Sequence, residues 1–141
     1  MIREARGQDV PAIVSMVVAL QQSTRIPMAI DEAVVRQTLQ RLIVSPTGLL
    51  LVSGAQPEAF LAASVGFTTV STAPVAQEHG WWASGKAKGA GPKLLLHFEK
   101  WAAEQGCQFI RMSTPPHNVR AAFLLQRRGF SVVEHAWVKA V

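Results

Sequence analysis

The spacing of apolar residues predicts a strand and two helices in the first third of the chain. Residues 2–6 alternate between apolar and polar side chains, as a short strand does. Residues 10–17 then place apolar side chains at helical spacing, and Asp9 directly before them is a residue type that caps helices. A second helix is predicted to begin at Asp31 and to end before Pro46.

The pattern becomes β-type from Leu49 and then alternates between strands and helices. The predicted strands are residues 49–52, 60–67, 75–82 and 109–113, with two more around Val132 and Trp137. The predicted helices are residues 92–105, beginning at Pro92, and residues 118–128. The order β-α-α-β-β-β-α-β-α-β-β, without a repeat or a linker, predicts a mixed α/β sheet and a single domain over residues 1–141.

Composition limits the class of protein. Apolar residues make up 49% of the 141 residues and charged residues 16%, which suits a buried core and excludes a disordered chain. The single cysteine, Cys107, excludes an internal disulfide and suits a reducing compartment, so we expect a cytoplasmic location. No apolar run approaches the roughly 18 residues that span a bilayer, so no membrane partner is expected.

The formal net charge of +5 favours an anionic ligand or partner. Nucleic acid, an acidic protein and a phosphorylated cofactor all satisfy this condition. The basic residues are spread along the chain rather than gathered into a tail. That distribution weighs against nucleic acid as the partner.

A glycine-rich turn between a predicted strand and a predicted helix is the main candidate binding site. Gly89 and Gly91 precede Pro92, a residue favoured in the first turn of a helix. Such a turn leaves backbone N–H groups without partners at the positive end of the helix dipole, where phosphate binds. Lysines stand at positions 86, 88 and 93. A tight turn without a ligand would also use these glycines, but the lysines favour an anion.

Two segments resemble the GNAT acetyltransferase superfamily. Residues 86–91, K-A-K-G-A-G, resemble its acetyl-CoA signature [Q/R]-x-x-G-x-[G/A], and residues 118–130 resemble its N-x-x-A…F-Y-x-x-x-G-F block at full spacing. The predicted order of elements is similar too, and the pair Trp81-Trp82 resembles short phage-encoded members. Membership implies a mixed, mostly antiparallel sheet that is splayed between the fourth and fifth strands, where the pantetheine of acetyl-CoA enters.

The resemblance also implies which residues hold acetyl-CoA. The main chain near Trp82 and Ala83 would pair with pantetheine, and the amides from Ala87 to Gly91 would hold the diphosphate. The implied cofactor-binding residues are Trp82, Ala83, Lys86, Ala87, Lys88, Gly89, Ala90, Gly91, Lys93 and Asn118. Asn118 is expected to cap the last predicted helix as well. No metal is expected.

Two residues of the turn depart from the family pattern. Lys86 replaces the usual Gln or Arg, which keeps the charge but loses the planar fork of arginine. Pro92 removes an amide that many relatives can offer to phosphate. Two outcomes are open: weaker binding of the cofactor, or a different position of the CoA tail.

Glu78 is the candidate catalytic base. The resemblance places it where many relatives carry a glutamate base, with His79 as its neighbour. Only one of the two is expected to face the cleft, because successive strand residues point to opposite faces. The family's usual general acid is a tyrosine, but the aligned position is Leu125 and the chain has no tyrosine. A thiol with a pKa near 8.5 leaves without much help, and His117 or Ser113 could substitute.

These features predict an N-acetyltransferase that transfers an acetyl group from acetyl-CoA to an amine by direct attack in a ternary complex. The acceptor, a small molecule or a protein, has no recognisable motif, and a homodimer is left open. The alternative is a CoA-binding relative with weak catalysis that acts by binding a partner protein, which the missing tyrosine and Pro92 favour. A small basic nucleic-acid binder is the third hypothesis.

Overall fold

The computed structural model describes all 141 residues and contains five strands and four α-helices. The strands are β1 (Ile2–Glu4), β2 (Gly48–Ser53), β3 (Ala59–Gly66), β4 (Val75–Ala83) and β5 (Phe109–Arg111). The helices are α1 (Val10–Ser23), α2 (Glu32–Val44), α3 (Ala90–Glu104) and α4 (Val119–Arg127), with a 3₁₀ turn, Gly7–Asp9, before α1. No helix has both the length and the apolar content needed to cross a bilayer.

The strands form one mixed sheet in the order β1-β2-β3-β4-β5. The first four are antiparallel neighbours, and β5 lies parallel to β4. Parallel neighbours need a crossover connection, and α3 provides it. The mixed α/β class and the mostly antiparallel sheet are as predicted.

Helices cover both faces of the sheet because strand residues alternate in direction. On one face Leu61 of β3 packs with Phe98 of α3 in a group of 12 buried residues, the α3-side cluster. On the other face Phe60 packs with Ile13 of α1 and Leu39 of α2 in a group of 11, the α1/α2-side cluster. The sheet is thus fixed from both sides, which gives its strand ends definite positions.

The fourth and fifth strands separate shortly after they meet. Their register pairs only residues 75–77 of β4 with residues 109–111 of β5. β4 then continues to Ala83 without a neighbour on that side. The expected splay is present, and it leaves a gap along two thirds of β4.

The predicted strands around Val132 and Trp137 are wrong. The structure contains no regular element after Arg127, although the local pattern of apolar residues is typical of a strand. A strand needs a partner, and β5 ends at Arg111 rather than at Ser113 as predicted. The amide of Ser113 donates to a side chain instead of a strand ladder, so β5 offers a short edge.

Two expected helix starts differ in part. Asp9 is the N-cap residue of α1, as predicted, but its side chain makes no capping bond to that helix. Its carboxylate accepts instead from the guanidinium of Arg3 at 2.8 and 3.0 Å and from the amide of Arg6 at 2.8 Å. These charge-assisted bonds lower the pKa of Asp9. Pro92 is the third residue of α3, since that helix begins at Ala90. It still lies in the first turn, where a missing N–H costs little.

Candidate active site

Glu78 lies where β4 and β5 separate. It is the first residue of β4 beyond the paired register, and only 8% of its surface is exposed. Its Oε1 accepts a hydrogen bond from the amide of Ser113 at 3.0 Å. One carboxylate thus bridges the two diverging strands and holds the closed end of the gap together.

Burial changes the acidity of this carboxylate. Loss of water around Glu78 raises its pKa to about 7, and the hydrogen bond from Ser113 opposes that rise only in part. A carboxylate with such a pKa is ionised in about half of the molecules at neutral pH and accepts protons far better than an exposed one. This acidity is suited to a general base at neutral pH.

β4 contains a β-bulge at His79, directly after Glu78. The register pairs Ala62 with Gly80 but Ala63 with Glu78, so His79 has no partner across the ladder. His79 is exposed, its Nε2 lies 2.7 Å from the hydroxyl of Ser64, and desolvation lowers its pKa. The two neighbours therefore have different surroundings: the carboxylate of Glu78 contacts the β5 side of the gap, whereas His79 contacts β3.

The glycine turn presents free amides at the start of α3. Gly89 is the N-cap with φ of 75°, a left-handed conformation that favours glycine. The amides of Ala87 and Ala90 donate within the turn, to Ser84 and Ala87. Within residues 86–91 four others have no acceptor in the protein, those of Lys86, Lys88, Gly89 and Gly91. The free donors are thus fewer than the predicted run from Ala87 to Gly91, but they stand at the positive end of α3.

Three observations show that an anionic ligand fits this turn. The side chains of Lys86, Lys88 and Lys93 are exposed and make no ion pair. A Cβ placed on Gly89 would meet no atom within 4 Å, so there is open space beside this residue of the turn. The hydroxyl of Ser84 is buried without a hydrogen-bond partner, the one such side-chain atom in the chain. Free donors, mobile charge and open space are what a diphosphate requires.

The main chain of β4 offers hydrogen bonds to the gap at alternate residues. The amide of Ser84 donates to the carbonyl of Glu58, beside β3, at 2.9 Å. Because bonded and non-bonded pairs alternate along an antiparallel ladder, Trp82 also directs its main chain to β3. Trp81 and Ala83 direct theirs to the gap. The main chain expected to face the gap was that of Trp82 and Ala83; the alternation places Trp81 there in place of Trp82.

The two tryptophans have different surroundings. Trp81 packs against the α3-side cluster, and its indole N–H donates to the carbonyl of Gly91 at 3.1 Å. Trp82 packs against the α1/α2-side cluster and lines an open cleft of about 560 Å³ with Ser84 and Lys86. Trp81 is therefore a structural link between the sheet and the glycine turn.

The remaining candidate residues lie on α4 or in the loop before it, and they make different contacts. The side chain of Asn118 accepts from the amide of Ala121 at 3.1 Å, so its predicted role as N-cap is confirmed. The Nε2 of His117 lies 2.9 Å from the carbonyl of Ser23, which ties this loop to the end of α1. Leu125 is buried in the α3-side cluster. No sequence pattern indicated that the amide of Ser113, rather than its hydroxyl, would contact Glu78.

Solved structures of low sequence identity share this fold. An aminoglycoside N-acetyltransferase, AAC(6')-Iy in complex with CoA, has a TM-score of 0.78 at 14% identity, covering 100% of this chain and 93% of that chain. AAC(6')-IG from Acinetobacter haemolyticus has a TM-score of 0.77 at 21% identity, covering 100% and 97%. A transcriptional regulator from Bacillus halodurans C-125 has 0.79 at 19%, covering 100% and 99%. No curated protein matches the chain.

The family follows from the sequence itself. Residues 22–130 match the model of the acetyltransferase (GNAT) family. The matched range includes β2 to β5, the bulge beside Glu78, the glycine turn and Asn118. The splayed strands and the free amides at the start of α3 suit the acyl donor of that family, acetyl-CoA. With about three quarters of its length matched, the chain belongs to the GNAT family of N-acetyltransferases.

Proposed function

We propose that the protein transfers an acetyl group from acetyl-CoA to an amine by direct attack in a ternary complex. One observation carries the proposal: Glu78, a buried carboxylate with its pKa raised to about 7, lies at the closed end of the gap between β4 and β5. A base at that point can accept the proton that an amine must lose before it attacks.

The glycine turn and β4 are proposed to bind the cofactor. The free amides of Lys88, Gly89 and Gly91 would hold its diphosphate, with charge from Lys86 and Lys93. The main-chain groups of Ala83 and Trp81 would pair with pantetheine. Trp82, Ala87 and Ala90 would shape the site without donating their amides, and Asn118 would add a contact from α4. The bound cofactor supplies the acetyl thioester.

The proposed chemistry depends mainly on Glu78. The Ser113 amide holds Oε1 of that carboxylate at 3.0 Å, so its position is fixed before the acceptor arrives. No hydroxyl stands at Leu125 to protonate the leaving group, and His117 is engaged by Ser23. A thiol pKa of about 8.5 makes such help dispensable.

The acceptor is proposed to be an amine of a small molecule or of a protein. Two of the similar structures are aminoglycoside N-acetyltransferases, which supports a small-molecule acceptor, and one is a transcriptional regulator. One fold thus serves several roles, so the acceptor has to be inferred from the residues of the site and not from the fold.

We also propose a single domain over residues 1–141, a cytoplasmic location from the lone Cys107, and kinship with short phage-encoded members from Trp81-Trp82.

A binding experiment and a turnover experiment test the proposal together. Acetyl-CoA at 100 times its dissociation constant should stabilise the protein by about 2.7 kcal/mol. Release of the CoA thiol in the presence of an amine panel should fall about 10²- to 10⁴-fold in Glu78→Gln, with cofactor binding unchanged. Glu104→Gln, which alters an exposed carboxylate of α3, is the control and should retain full turnover.

A second candidate is a CoA-binding protein that contacts a partner protein and catalyses weakly. The burial of Leu125 at the tyrosine position favours it. Binding of acetyl-CoA without turnover on any amine would select this candidate. Indifference to acetyl-CoA at millimolar concentration would contradict both.

A further inference from the structure

The helix α1 runs antiparallel to β4 and keeps in step with it. Met16 of α1 and Trp82 of β4 line the same open cleft, and a Cβ on Gly80 would lie 3.5 Å from Cδ2 of Leu20. Between these two places α1 advances four residues, or about 6 Å, and β4 goes back two residues, or about 7 Å. The two elements therefore cover the same distance side by side.

The end of α1 lies level with the proposed base. One more step of the same length leads to Thr24 on the helix side and to Glu78 on the strand. A hydrogen bond supports this placement, because the carbonyl of Ser23 lies 2.9 Å from Nε2 of His117. His117 follows four residues after Ser113, whose amide binds the carboxylate of Glu78. The loop after α1 thus begins beside the gap.

This loop is held in place and exposes apolar side chains. Nε2 of Gln21 donates to the carbonyls of Ile26 and Met28 at 3.3 and 3.1 Å, and the amide of Ile26 donates to the hydroxyl of Thr24 at 3.3 Å. The side chains of Ile26 and Met28 are nevertheless 48% and 64% exposed. Binding residues are concentrated on loops that a rigid scaffold holds in this way. Residues 24–28 are called the α1 loop below.

Carboxylates are scarce around the α1 loop. Of the nine acidic residues in the chain, four are paired with a basic side chain: Asp9, Glu99, Glu104 and Glu134. Glu4 lies on β1, at the far edge of the sheet, and Glu58 lies beside the C-terminal end of β4. Besides Glu78, only Asp31 and Glu32 remain, at the start of α2, and Asp31 caps that helix.

This distribution of charge disfavours an acceptor with several ammonium groups. One ammonium can be neutralised by Glu78, but a second one finds no cluster of carboxylates beside it. The α1 loop instead contributes the guanidinium of Arg25, which is exposed, makes no ion pair and repels other cations. Charge therefore favours an acceptor with a single positive group.

We propose that the acceptor is an amine with one positive charge and an apolar body, and that Ile26 and Met28 contact that body. This inference rests on the N-acetyltransferase function proposed above. In the transfer the nitrogen of the acceptor bonds to the acetyl carbon and the bond from that carbon to sulfur breaks. Of the two protons that the ammonium loses, one ends on the departing thiolate and one in water, with Glu78 as the group that first accepts.

A panel of acceptors that differ in charge and in apolar size tests the proposal. Release of the CoA thiol is measured with 2-phenylethylamine, ethanolamine, leucinamide, spermidine and tobramycin. 2-Phenylethylamine should have a kcat/KM at least about tenfold higher than ethanolamine, which lacks an apolar body, and than spermidine or tobramycin, which carry several amines. Leucinamide represents the amino terminus of a protein. Turnover of leucinamide above that of 2-phenylethylamine would support the same class of acceptor and identify its source as a polypeptide.

Substitutions of Met28 separate the apolar contact from the effect of charge. Met28→Ser should raise KM for 2-phenylethylamine about tenfold and change kcat little, because the contact is made equally by the bound acceptor and by the transition state. Met28→Glu should raise kcat/KM for tobramycin roughly two- to fivefold, the effect of one exposed ion pair. Val44→Glu is the matched control, since Val44 is 80% exposed at the far end of α2. It should change neither acceptor.

The outcomes distinguish this inference from the function on which it rests. Highest turnover with tobramycin or spermidine, equal turnover of 2-phenylethylamine and ethanolamine, or an unchanged KM in Met28→Ser would overturn the inference and leave an acetyltransferase. Absence of thiol release with every amine would overturn the proposed function, and this inference with it. Stabilisation by acetyl-CoA in a thermal-shift measurement, equal in the wild type and the variants, shows that each variant is folded.

Discussion

The indole N–H of Trp81 donates to the carbonyl of Gly91 across 3.1 Å, and so ties the sheet to the start of α3. Trp81 lies three residues after Glu78 on β4, and Gly91 carries one of the free amides of the turn. The side chain of Trp81 therefore links the strand that carries the proposed base to the turn that is proposed to bind the diphosphate. A change in this bond should alter cofactor binding before it alters the fold.

The first prediction concerns Trp81→Phe. The ring still packs against the α3-side cluster, but the bond to Gly91 is lost. A neutral hydrogen bond contributes about 0.5–1.5 kcal/mol, so we expect CoA to bind roughly two- to tenfold more weakly. Titration calorimetry with CoA measures the change.

Trp101→Phe is the control for that experiment. Trp101 also packs against the α3-side cluster and stacks with Phe98 at 6.2 Å, but its indole N–H makes no hydrogen bond. Its replacement should leave the affinity for CoA unchanged. Equal affinities in both variants and the wild type would mean that Trp81 does not position the turn.

The second prediction concerns Gly89→Ala. At φ of 75° an alanine is strained, although a Cβ there would meet no atom within 4 Å. We expect a loss of about 1–2 kcal/mol in the free energy of unfolding, measured by denaturant titration. Gly85→Ala in the same turn has equal space and no positive φ, so it should be close to neutral. A loss of the same size in both would show that backbone conformation is not the cause.

The sequence predicted the elements whose signals are local. The switch from helical spacing to alternation gave β2, β3 and β4, and the glycines before α3 marked the turn. Asn118 was predicted as an N-cap because a cap depends on the next few residues only. Glu78 was singled out by the resemblance to a family, which supplied the position but not its surroundings.

The contacts that could not be predicted from the sequence join residues that are far apart in the chain. The bond between Glu78 and Ser113 joins positions 35 residues apart, and the bulge at His79 depends on the register with β3. Asp9 had the right type for a helix cap, but Arg3 from β1 holds its carboxylate. The strands predicted around Val132 and Trp137 had a suitable pattern and no partner within the chain.

The third prediction concerns Gly80→Ala on β4. A Cβ on Gly80 would lie 2.9 Å from Cε2 of Phe60, a side chain that is 1% exposed and has little room to move. Overpacking of this kind costs about 1–3 kcal/mol. Gly66→Ala, on neighbouring β3 with nothing within 4 Å, is the control and should stay within about 0.5 kcal/mol of the wild type. Equal stability of the two variants would contradict the close contact.

The fourth prediction concerns the pH dependence of activity. With a pKa of about 7, Glu78 is the effective base only when ionised. For a saturating acyl donor, kcat/KM should rise roughly tenfold per pH unit below that value and then flatten, unless the acceptor amine titrates in the same range. Glu78→Gln should remove this rise. A rise that persists in the variant would assign the titration to another group.

The same carboxylate should make stability depend on pH in the opposite direction. Folding raises the pKa of Glu78 from its ordinary 4.5 to about 7, so between these values the folded protein keeps a proton that the unfolded chain has lost. Stability therefore falls as pH rises from about 4.5 to about 7, and is level outside that window. At 1.36 kcal/mol per pH unit the full loss is roughly 3 kcal/mol.

Glu78→Gln isolates that effect. The amide is neutral at all pH values and its Oε1 can still accept from Ser113. We expect the variant to be roughly 2–3 kcal/mol more stable than the wild type at about pH 8, and no more stable at about pH 4. Urea titrations at the two pH values measure this, with Glu104→Gln as the exposed control. Equal urea midpoints of the variant and the wild type at about pH 8 would show that burial of the ionised carboxylate does not lower the free energy of unfolding. The argument that Glu78 is a base with a raised pKa would then fail.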